Sequence, residues 1–285
     1  RGHFGVTVAS AGGTSPGGRV MIGRALKACA VAVVLIWTCA PFIVLAFWSL
    51  SRRWFFPRLW PQQWGLRAWE YVFGTAADQI AIGMLQSLLV AGVTALLAVL
   101  VGFPAGRALG LYQFRGKAAL SMVLTLPSVV PPLCVAMGLH LWFIKLHLAE
   151  TFWGVVMVHL TFSLPYATFV LWGVFSNYNP DFEAQARTLG ASPVTVMWRV
   201  MIPMTFSGIL VAALFSFLLS WSQYLSTLII GGGKLVTLPI LLFSLMGSGD
   251  RPVAAAVSLV FIVPAFVALL FSAHQRGKGH LRGVR

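Results

Sequence analysis

The acidic side chains of this sequence are few, and none is placed where a buried proton relay would need it. The chain of 285 residues contains six Asp and Glu residues. All six lie outside the middle of the apolar segments, at Glu70, Asp78, Glu150, Asp181, Glu183 and Asp250. Proton-driven carriers usually bury an ionisable group that can exchange its proton. The sequence therefore offers no acidic relay.

A glycine-rich segment, Gly231-Gly232-Gly233-Lys234, invites comparison with a phosphate-binding loop. Such a loop needs a glycine, four further residues and then Gly-Lys-Ser/Thr. Here Leu228 occupies the first glycine position and Leu235 follows the lysine, so the segment is better interpreted as a flexible turn. No nucleophile, base and orienting group can be assembled, and no metal-ligand spacing occurs. We expect a chain that is not an enzyme and holds no cofactor or metal of its own.

Neutral polar side chains recur at helical spacing in two apolar segments. In one, His159, Ser163 and Tyr166 stand at i, i+4 and i+7. In the other, the spacing is i, i+4, i+7 and i+8, at Ser216, Ser220, Gln223 and Tyr224. Each set would form one stripe on a continuous helix and could line a path for a polar solute. The alternative is packing, because hydroxyls also bond to carbonyls of their own helix and a lone buried histidine is usually a hydrogen-bonded core residue.

The elements that carry these stripes must be membrane helices. The sequence is 59% hydrophobic and 9% charged, whereas a soluble domain is about one quarter charged. A net charge of +14 would suggest nucleic acid in a soluble chain, but this chain is too apolar for a soluble basic binder. The composition predicts an all-α polytopic protein of the lipid bilayer, with no nucleic-acid partner.

Six apolar segments are long enough to cross a bilayer, which takes about 20 helical residues. They lie at about 25–50, 80–106, 118–144, 152–175, 204–230 and 252–273. Residues 1–20, rich in Gly and Ser, are expected to form a disordered leader. Residues 21–285 are expected to form one six-helix transmembrane domain.

The basic residues predict the orientation. An even number of spans places both termini on one side, and the side richer in Lys and Arg is usually cytoplasmic. With both termini inside, thirteen of the twenty basic residues are cytoplasmic. Four of the other seven crowd into the loop at 51–79, at Arg52, Arg53, Arg58 and Arg67. The same loop is rich in Trp, as is typical of a segment lying in the membrane interface.

A row of glycines ends the second segment. Gly102, Gly106 and Gly110 recur every fourth residue. This spacing predicts a ridge without side chains that another helix can approach closely. The alternative is that glycine is simply frequent in membrane helices.

The loop at 176–203, between the fourth and fifth segments, carries secondary-structure signals of its own. Residues 183–189 are mostly good helix formers, and Gly190 fits the C-terminus of a helix. Ser192 and Pro193 are typical of the N-cap and first position of a second helix. The sequence predicts a helix-turn-helix, which a loop that only joined two spans would not need.

This loop resembles the EAA loop of permease subunits in binding-protein-dependent ABC importers. The likeness rests on Ala184-Gln185-Ala186, on Leu189-Gly190-Ala191-Ser192 and on Pro203, thirteen residues after the glycine. Further segments, Arg115-Gly116-Lys117 and Thr237-Leu238-Pro239, are similar to the spermidine/putrescine and thiamine-type permeases.

One position departs from that family. In the family motif a glutamate lies six residues before the glycine, which here is Gly190. This chain has Ala184 at that position, and Glu183 lies one residue earlier. If the glutamate makes a fixed contact with the ATPase, that contact is in question here. If the small residues and the glycine turn are what dock, little changes.

The resemblance implies a permease subunit of an ATP-driven importer, multi-pass in the bacterial inner membrane. Its coupling residues would be Glu183, Ala184, Gln185, Ala186, Arg187, Gly190 and Pro203. The expected partners are two ATP-binding subunits that hold ATP and Mg, a second permease (a copy or a paralogue), and a periplasmic solute-binding protein.

The solute stays open. The resemblance favours a polyamine, whereas stripes without a carboxylate favour a neutral, zwitterionic or anionic solute, because an unpaired ammonium near the midplane is costly. Two other classes of membrane protein are compatible with the hydropathy. A secondary transporter is disfavoured by the missing intramembrane carboxylate and the lack of an inverted repeat, while composition alone does not exclude a membrane scaffold.

Overall fold

The computed structural model describes residues 16–54 and 57–282. The helices are α1 (Pro16–Ser49), α2 (Arg67–Glu70), α3 (Ala77–Leu111), α4 (Lys117–Val129), α5 (Pro132–Lys145), α6 (Phe152–Ser176), α7 (Asp181–Thr188), α8 (Pro193–Val196), α9 (Ile202–Trp221), α10 (Leu225–Gly231), α11 (Leu238–Gly247) and α12 (Arg251–Arg282). Short π-helical turns follow α2 and precede α9, at Tyr71–Thr75 and Met197–Met201. Strands β1 (Ser51–Arg53) and β2 (Gln63–Trp64) form an antiparallel ribbon.

The first helix begins inside the predicted leader. Helix α1 starts at Pro16, a residue whose fixed φ suits the first turn of a helix. The first fifteen residues of the predicted leader at 1–20 lie outside the described residues.

Within the described residues, five helical stretches are long and apolar enough to cross a membrane. They are Lys27–Ser49, Ala77–Leu111, Phe152–Ser176, Pro193–Trp221 and Arg251–Gln275. A sixth crossing exists if α4 and α5 together count as one span. The predicted all-α polytopic fold is confirmed.

The predicted span at 118–144 is wrong as a single straight helix. Helices α4 and α5 meet at a bend of 104°. Val130 and Pro131 have extended backbones, with ψ of 135° and 131°. A residue before proline is pushed out of the helical region, and Pro131 and Pro132 have no N–H to donate. The tandem prolines therefore turn the chain sharply.

The predicted span at 204–230 is also divided. Helix α9 ends at Trp221 and α10 begins at Leu225. Gln223 and Tyr224 therefore lie at a break instead of continuing the stripe that begins at Ser216. Neither proline nor glycine lies at this break, so no local pattern in the sequence predicted it.

Helices α3 and α6 run parallel and in close contact along the predicted glycine ridge. A Cβ added at Gly106 would lie 2.7 Å from Leu171 Cβ and 2.9 Å from the backbone N of Trp172. A Cβ at Gly110 would lie 2.5 Å from Phe175 Cβ. The ridge prediction is confirmed. Because the helices are parallel, the C-terminal ends of α3 and α6 share one end of the bundle.

Gly106→Ala is expected to destabilise the protein by about 1–3 kcal/mol, because the new methyl group would overpack a contact that includes backbone. Gly92→Ala is the matched control, since nothing lies within 4 Å of its Cβ position on the same helix. Alanine is the better helix former, so the control should be neutral or slightly stabilising. Thermal unfolding in detergent measures both variants, and equal melting temperatures would contradict the close approach.

Candidate functional site

The structure forms a helix-turn-helix after α6, as the sequence predicts. Gly190 ends α7 with φ of +83°, a left-handed conformation that glycine adopts without strain. The backbone N–H of Ala191 donates to the carbonyl of Ala186 at 3.1 Å, which closes the turn. Ser192 then caps α8, its Oγ accepting from the N–H of Thr195 at 3.2 Å.

Glu183 points from α7 into the bundle. Its Oε2 accepts from Nη2 of Arg107, on the last turns of α3, at 2.8 Å. Arg187 Nη2 lies 3.5 Å from the same oxygen. The Glu183 side chain is only 8% exposed, so its carboxylate faces the interior of this chain. This ion pair fixes α7 against the end of α3.

Tyr178 completes this polar anchor in the loop before α7. Burial and the neighbouring Glu183 carboxylate raise the pKa of the Tyr178 phenol. Its oxygen and Glu183 Oε1 are both buried without a hydrogen-bond partner in the part of the chain that the structure describes.

The opposite surface of the helix-turn-helix is exposed and partly apolar. Leu189 is 88% exposed, Val194 63% and Phe182 44%. We use the name coupling surface for seven of the exposed residues of this segment, namely Phe182, Ala184, Gln185, Arg187, Leu189, Gly190 and Val194. Ala186 is half-buried, and Pro203 is exposed near the start of α9.

His159 joins three helices in the interior. Its Nδ1 lies 2.8 Å from Ser220 Oγ on α9, and its Nε2 lies 2.9 Å from Thr227 Oγ1 on α10. The Thr227 hydroxyl donates to the carbonyl of Gln223 at 2.9 Å, so Thr227 accepts from Nε2–H and Ser220 donates to Nδ1. The histidine is thereby a hydrogen-bonded packing residue that supports the α9–α10 break.

The two predicted polar stripes divide between this interior network and a cavity. Ser163 donates to the carbonyl of His159 at 2.9 Å. Ser216 is fully buried, with no hydrogen-bond partner within the described residues. Neither stripe forms one continuous lining. Gln223 and Tyr224 lie beyond the end of α9, so they do not continue the stripe that begins at Ser216. In the other stripe, Tyr166 is 42% exposed, whereas His159 and Ser163 are buried.

The cavity lies where the two broken helix pairs meet and has a volume of about 440 Å³. Tyr166, Gln223 and Tyr224 line it, together with Ser226 of α10. The Tyr224 ring stacks on Phe243 of α11 with centroids 4.1 Å apart. Among the described residues that line the cavity, none is charged. The site can offer hydrogen bonds and aromatic faces to a polar solute, and no ion pair.

Sequence reasoning missed several residues of these sites. Arg107 holds Glu183, Tyr178 lies beside that pair, Thr227 bonds to His159, and Ser226 lines the cavity. Arg107 is separated from Glu183 by 76 residues, so only the tertiary fold brings them together. The bend between α4 and α5, next to the cavity, could have been predicted from the tandem Pro131-Pro132.

The fold and these sites define a multi-spanning membrane transport protein with a helix-turn-helix at one end of its bundle. Residues 98–277 match the family described as "Binding-protein-dependent transport system inner membrane component". This match covers more than half of the sequence, and the chain belongs to that family.

Relatives of known function support the assignment. The chain is 28% identical over 195 residues to the spermidine/putrescine transport system permease protein PotC of Haemophilus influenzae, covering 68% of this chain and 76% of PotC. It is 31% identical over 228 residues to the molybdenum transport system permease protein ModB of Mycobacterium tuberculosis, covering 74% and 82%.

Solved structures share the fold. A chain of a bacterial ABC transporter involved in the import of the acidic polysaccharide alginate superposes with a TM-score of 0.67 at 16% identity, covering 93% of this chain and 99% of that chain. A second structure of the alginate transporter is in complex with an alginate pentasaccharide-bound periplasmic protein. The present chain is a translocation subunit of an ABC importer, a multi-pass protein of the inner membrane. The family to which it belongs is described as the inner-membrane component of such a transport system.

Proposed function

We propose that this chain converts ATP hydrolysis by two separate ATP-binding subunits into movement of a solute path. The observation that carries the proposal is that the helix-turn-helix has an anchored side and an exposed side. Glu183 is paired with Arg107, whereas Phe182 of α7 and Leu189 directly after it are exposed. Apolar side chains this exposed, on a segment outside the apolar spans, mark an interaction surface. The coupling surface docks in a cleft of an ATP-binding subunit that holds the ATP and Mg.

The complete importer then contains a second permease and a periplasmic solute-binding protein. Closure of the two ATP-binding subunits pushes the paired α7 helices together, and the fixed Glu183–Arg107 pair passes that movement to α3. The solute-loaded binding protein unloads into the opened path. Because α7 and α8 dock on a cytoplasmic ATPase, both chain termini are cytoplasmic.

The orientation gives a direct labelling prediction. In a background lacking Cys29, Cys39 and Cys134, all of them free thiols, Val194→Cys is expected to react only with reagent supplied to the cytoplasmic side. Leu59→Cys, in the loop at the other end of the bundle and 86% exposed in the native chain, should react from outside in intact cells. The reverse pattern would overturn the orientation.

We infer that the cavity between the broken helices is part of the solute path. Its uncharged lining favours a neutral, zwitterionic or anionic solute, since a polycation would lose hydration without gaining a carboxylate. The similarity to PotC keeps a polyamine as the alternative, in which case the second permease supplies the acids.

The path is tested by removing hydrogen-bonding groups from the cavity. Ser226 Oγ donates to Gln223 Oε1 at 2.6 Å, which leaves the amide N–H groups of Gln223 for a solute. Gln223→Leu with Ser226→Ala is therefore expected to cut uptake about fivefold or more, because each lost hydrogen bond to the solute is worth about 1 kcal/mol. Assembly with the ATP-binding subunits should be unchanged. Gln62→Leu with Ser207→Ala removes the same groups from exposed positions outside the cavity and is the control. Equal uptake by the two double variants would remove the cavity from the path.

A further inference from the structure

We propose that the end of the bundle opposite the coupling surface contains a binding site for the phosphate of an anionic phospholipid headgroup. A cavity of about 710 Å³ lies between the end of α1, the β1–β2 loop and the start of α12. Four arginines line it, at Arg52, Arg53, Arg67 and Arg251.

The charge of this cavity is not balanced within the chain. Asp250 is its one acidic lining residue, and its Oδ1 already accepts from Arg67 Nη2 at 2.7 Å. Among residues 16–54 and 57–282, no carboxylate lies within 4 Å of Arg52, Arg53 or Arg251. Three guanidinium groups are therefore available to a bound oxyanion, for which their planar donors are well suited.

The surroundings identify the source of the oxyanion as lipid. Trp48 and Trp54 line the same cavity and stack with centroids 4.4 Å apart, and the Arg251 guanidinium lies 5.6 Å from the Trp48 ring. Tryptophan at the end of a span is typical of headgroup depth. Helix α1 is exposed along most of its apolar length in this chain, with Trp37 82% exposed, so it presents an apolar face that suits contact with lipid.

This placement also accounts for arginines that oppose the charge bias of the topology. Unpaired arginines near a span usually lie on the cytoplasmic side of the membrane. A lipid phosphate at this depth would neutralise the arginines that lie on the opposite side here. The inference concerns a site remote from the coupling surface and the solute cavity. It does not depend on the proposed coupling to ATP hydrolysis.

Native mass spectrometry tests the site on the chain purified in detergent with the subunits that accompany it. Dioleoyl phosphatidylglycerol is titrated against dioleoyl phosphatidylcholine, which has the same acyl chains and no net charge. Each basic side chain near an anionic lipid contributes about fivefold in affinity. Arg52→Gln with Arg53→Gln is therefore expected to weaken phosphatidylglycerol binding about thirtyfold.

The control removes two exposed basic side chains from the same end of the bundle, with Arg58→Gln and Lys145→Gln, and should bind phosphatidylglycerol as the native chain does. If the first double variant does not accumulate, Arg251→Gln must show a loss of about fivefold. Equal losses in the variant and the control, or no loss in the variant, would overturn the proposal. Displacement of the lipid by millimolar inorganic phosphate would identify a free-anion site and overturn the lipid assignment.

Discussion

Gly190→Val is expected to remove most of the solute-stimulated ATP hydrolysis and uptake while the protein still inserts into the membrane. The native φ of +83° lies in the left-handed region, which a β-branched residue resists. Nothing lies within 4 Å of the Cβ position, so the effect comes from the backbone and not from a steric clash. The turn must change its dihedral angles, and that swings α7 out of line with α8.

The measurement is ATP hydrolysis by the reconstituted importer in liposomes, with and without loaded binding protein. We expect stimulation to fall about five- to thirtyfold, which corresponds to the cost of about 1–2 kcal/mol for a left-handed non-glycine residue. Gly190→Asn is the control, because asparagine tolerates this conformation and should retain most of the stimulation. Normal stimulation in the valine variant would count against the turn as the coupling element.

Separating Glu183 from Arg107 is expected to uncouple the importer just as strongly. Glu183→Gln leaves a partly buried guanidinium without its partner, and removal of one member of a buried pair costs about 3 kcal/mol. The same reasoning applies to Arg107→Gln, in which the buried carboxylate keeps only its 3.5 Å contact with Arg187. We expect each variant to hydrolyse ATP without stimulation by loaded binding protein, because α7 is no longer fixed to α3.

Two further variants separate positioning from general damage. Exchange of the charges, with Arg107→Glu and Glu183→Arg together, should restore part of the stimulation that either change alone removes. Arg187→Gln loses only a 3.5 Å contact from a side chain that is 58% exposed, and it should change stability by less than about 1 kcal/mol. Full coupling in Glu183→Gln would show that this ion pair does not hold the helix in its working position.

Local signals in the sequence predicted much of this architecture. Long apolar runs identified the spans, because a helix must satisfy its own backbone polar groups in lipid. Gly190 and Ser192-Pro193 identified the turn and the start of α8, since both act through the backbone of their immediate neighbours. The glycine ridge at Gly102, Gly106 and Gly110 likewise predicted a close helix contact.

The features that depend on distant residues were not predicted. The break after Trp221 has no proline or glycine, and it is supported by His159 from another helix. The stripe that continued to Gln223 and Tyr224 assumed an unbroken helix and was wrong for that reason. Glu183 was predicted as a coupling residue, but no local pattern indicated that Arg107 would hold it.

Site-specific photocrosslinking from the coupling surface tests the central claim most directly. A benzophenone side chain is introduced at Leu189, with Leu59 at the other end of the bundle as the control, and adducts formed in intact cells are identified by mass spectrometry. We predict that position 189 crosslinks to a subunit containing a complete P-loop and that position 59 does not. Adducts from position 189 that contain only lipid or other membrane-spanning chains would contradict the proposal that α7 and α8 couple this permease to ATP hydrolysis.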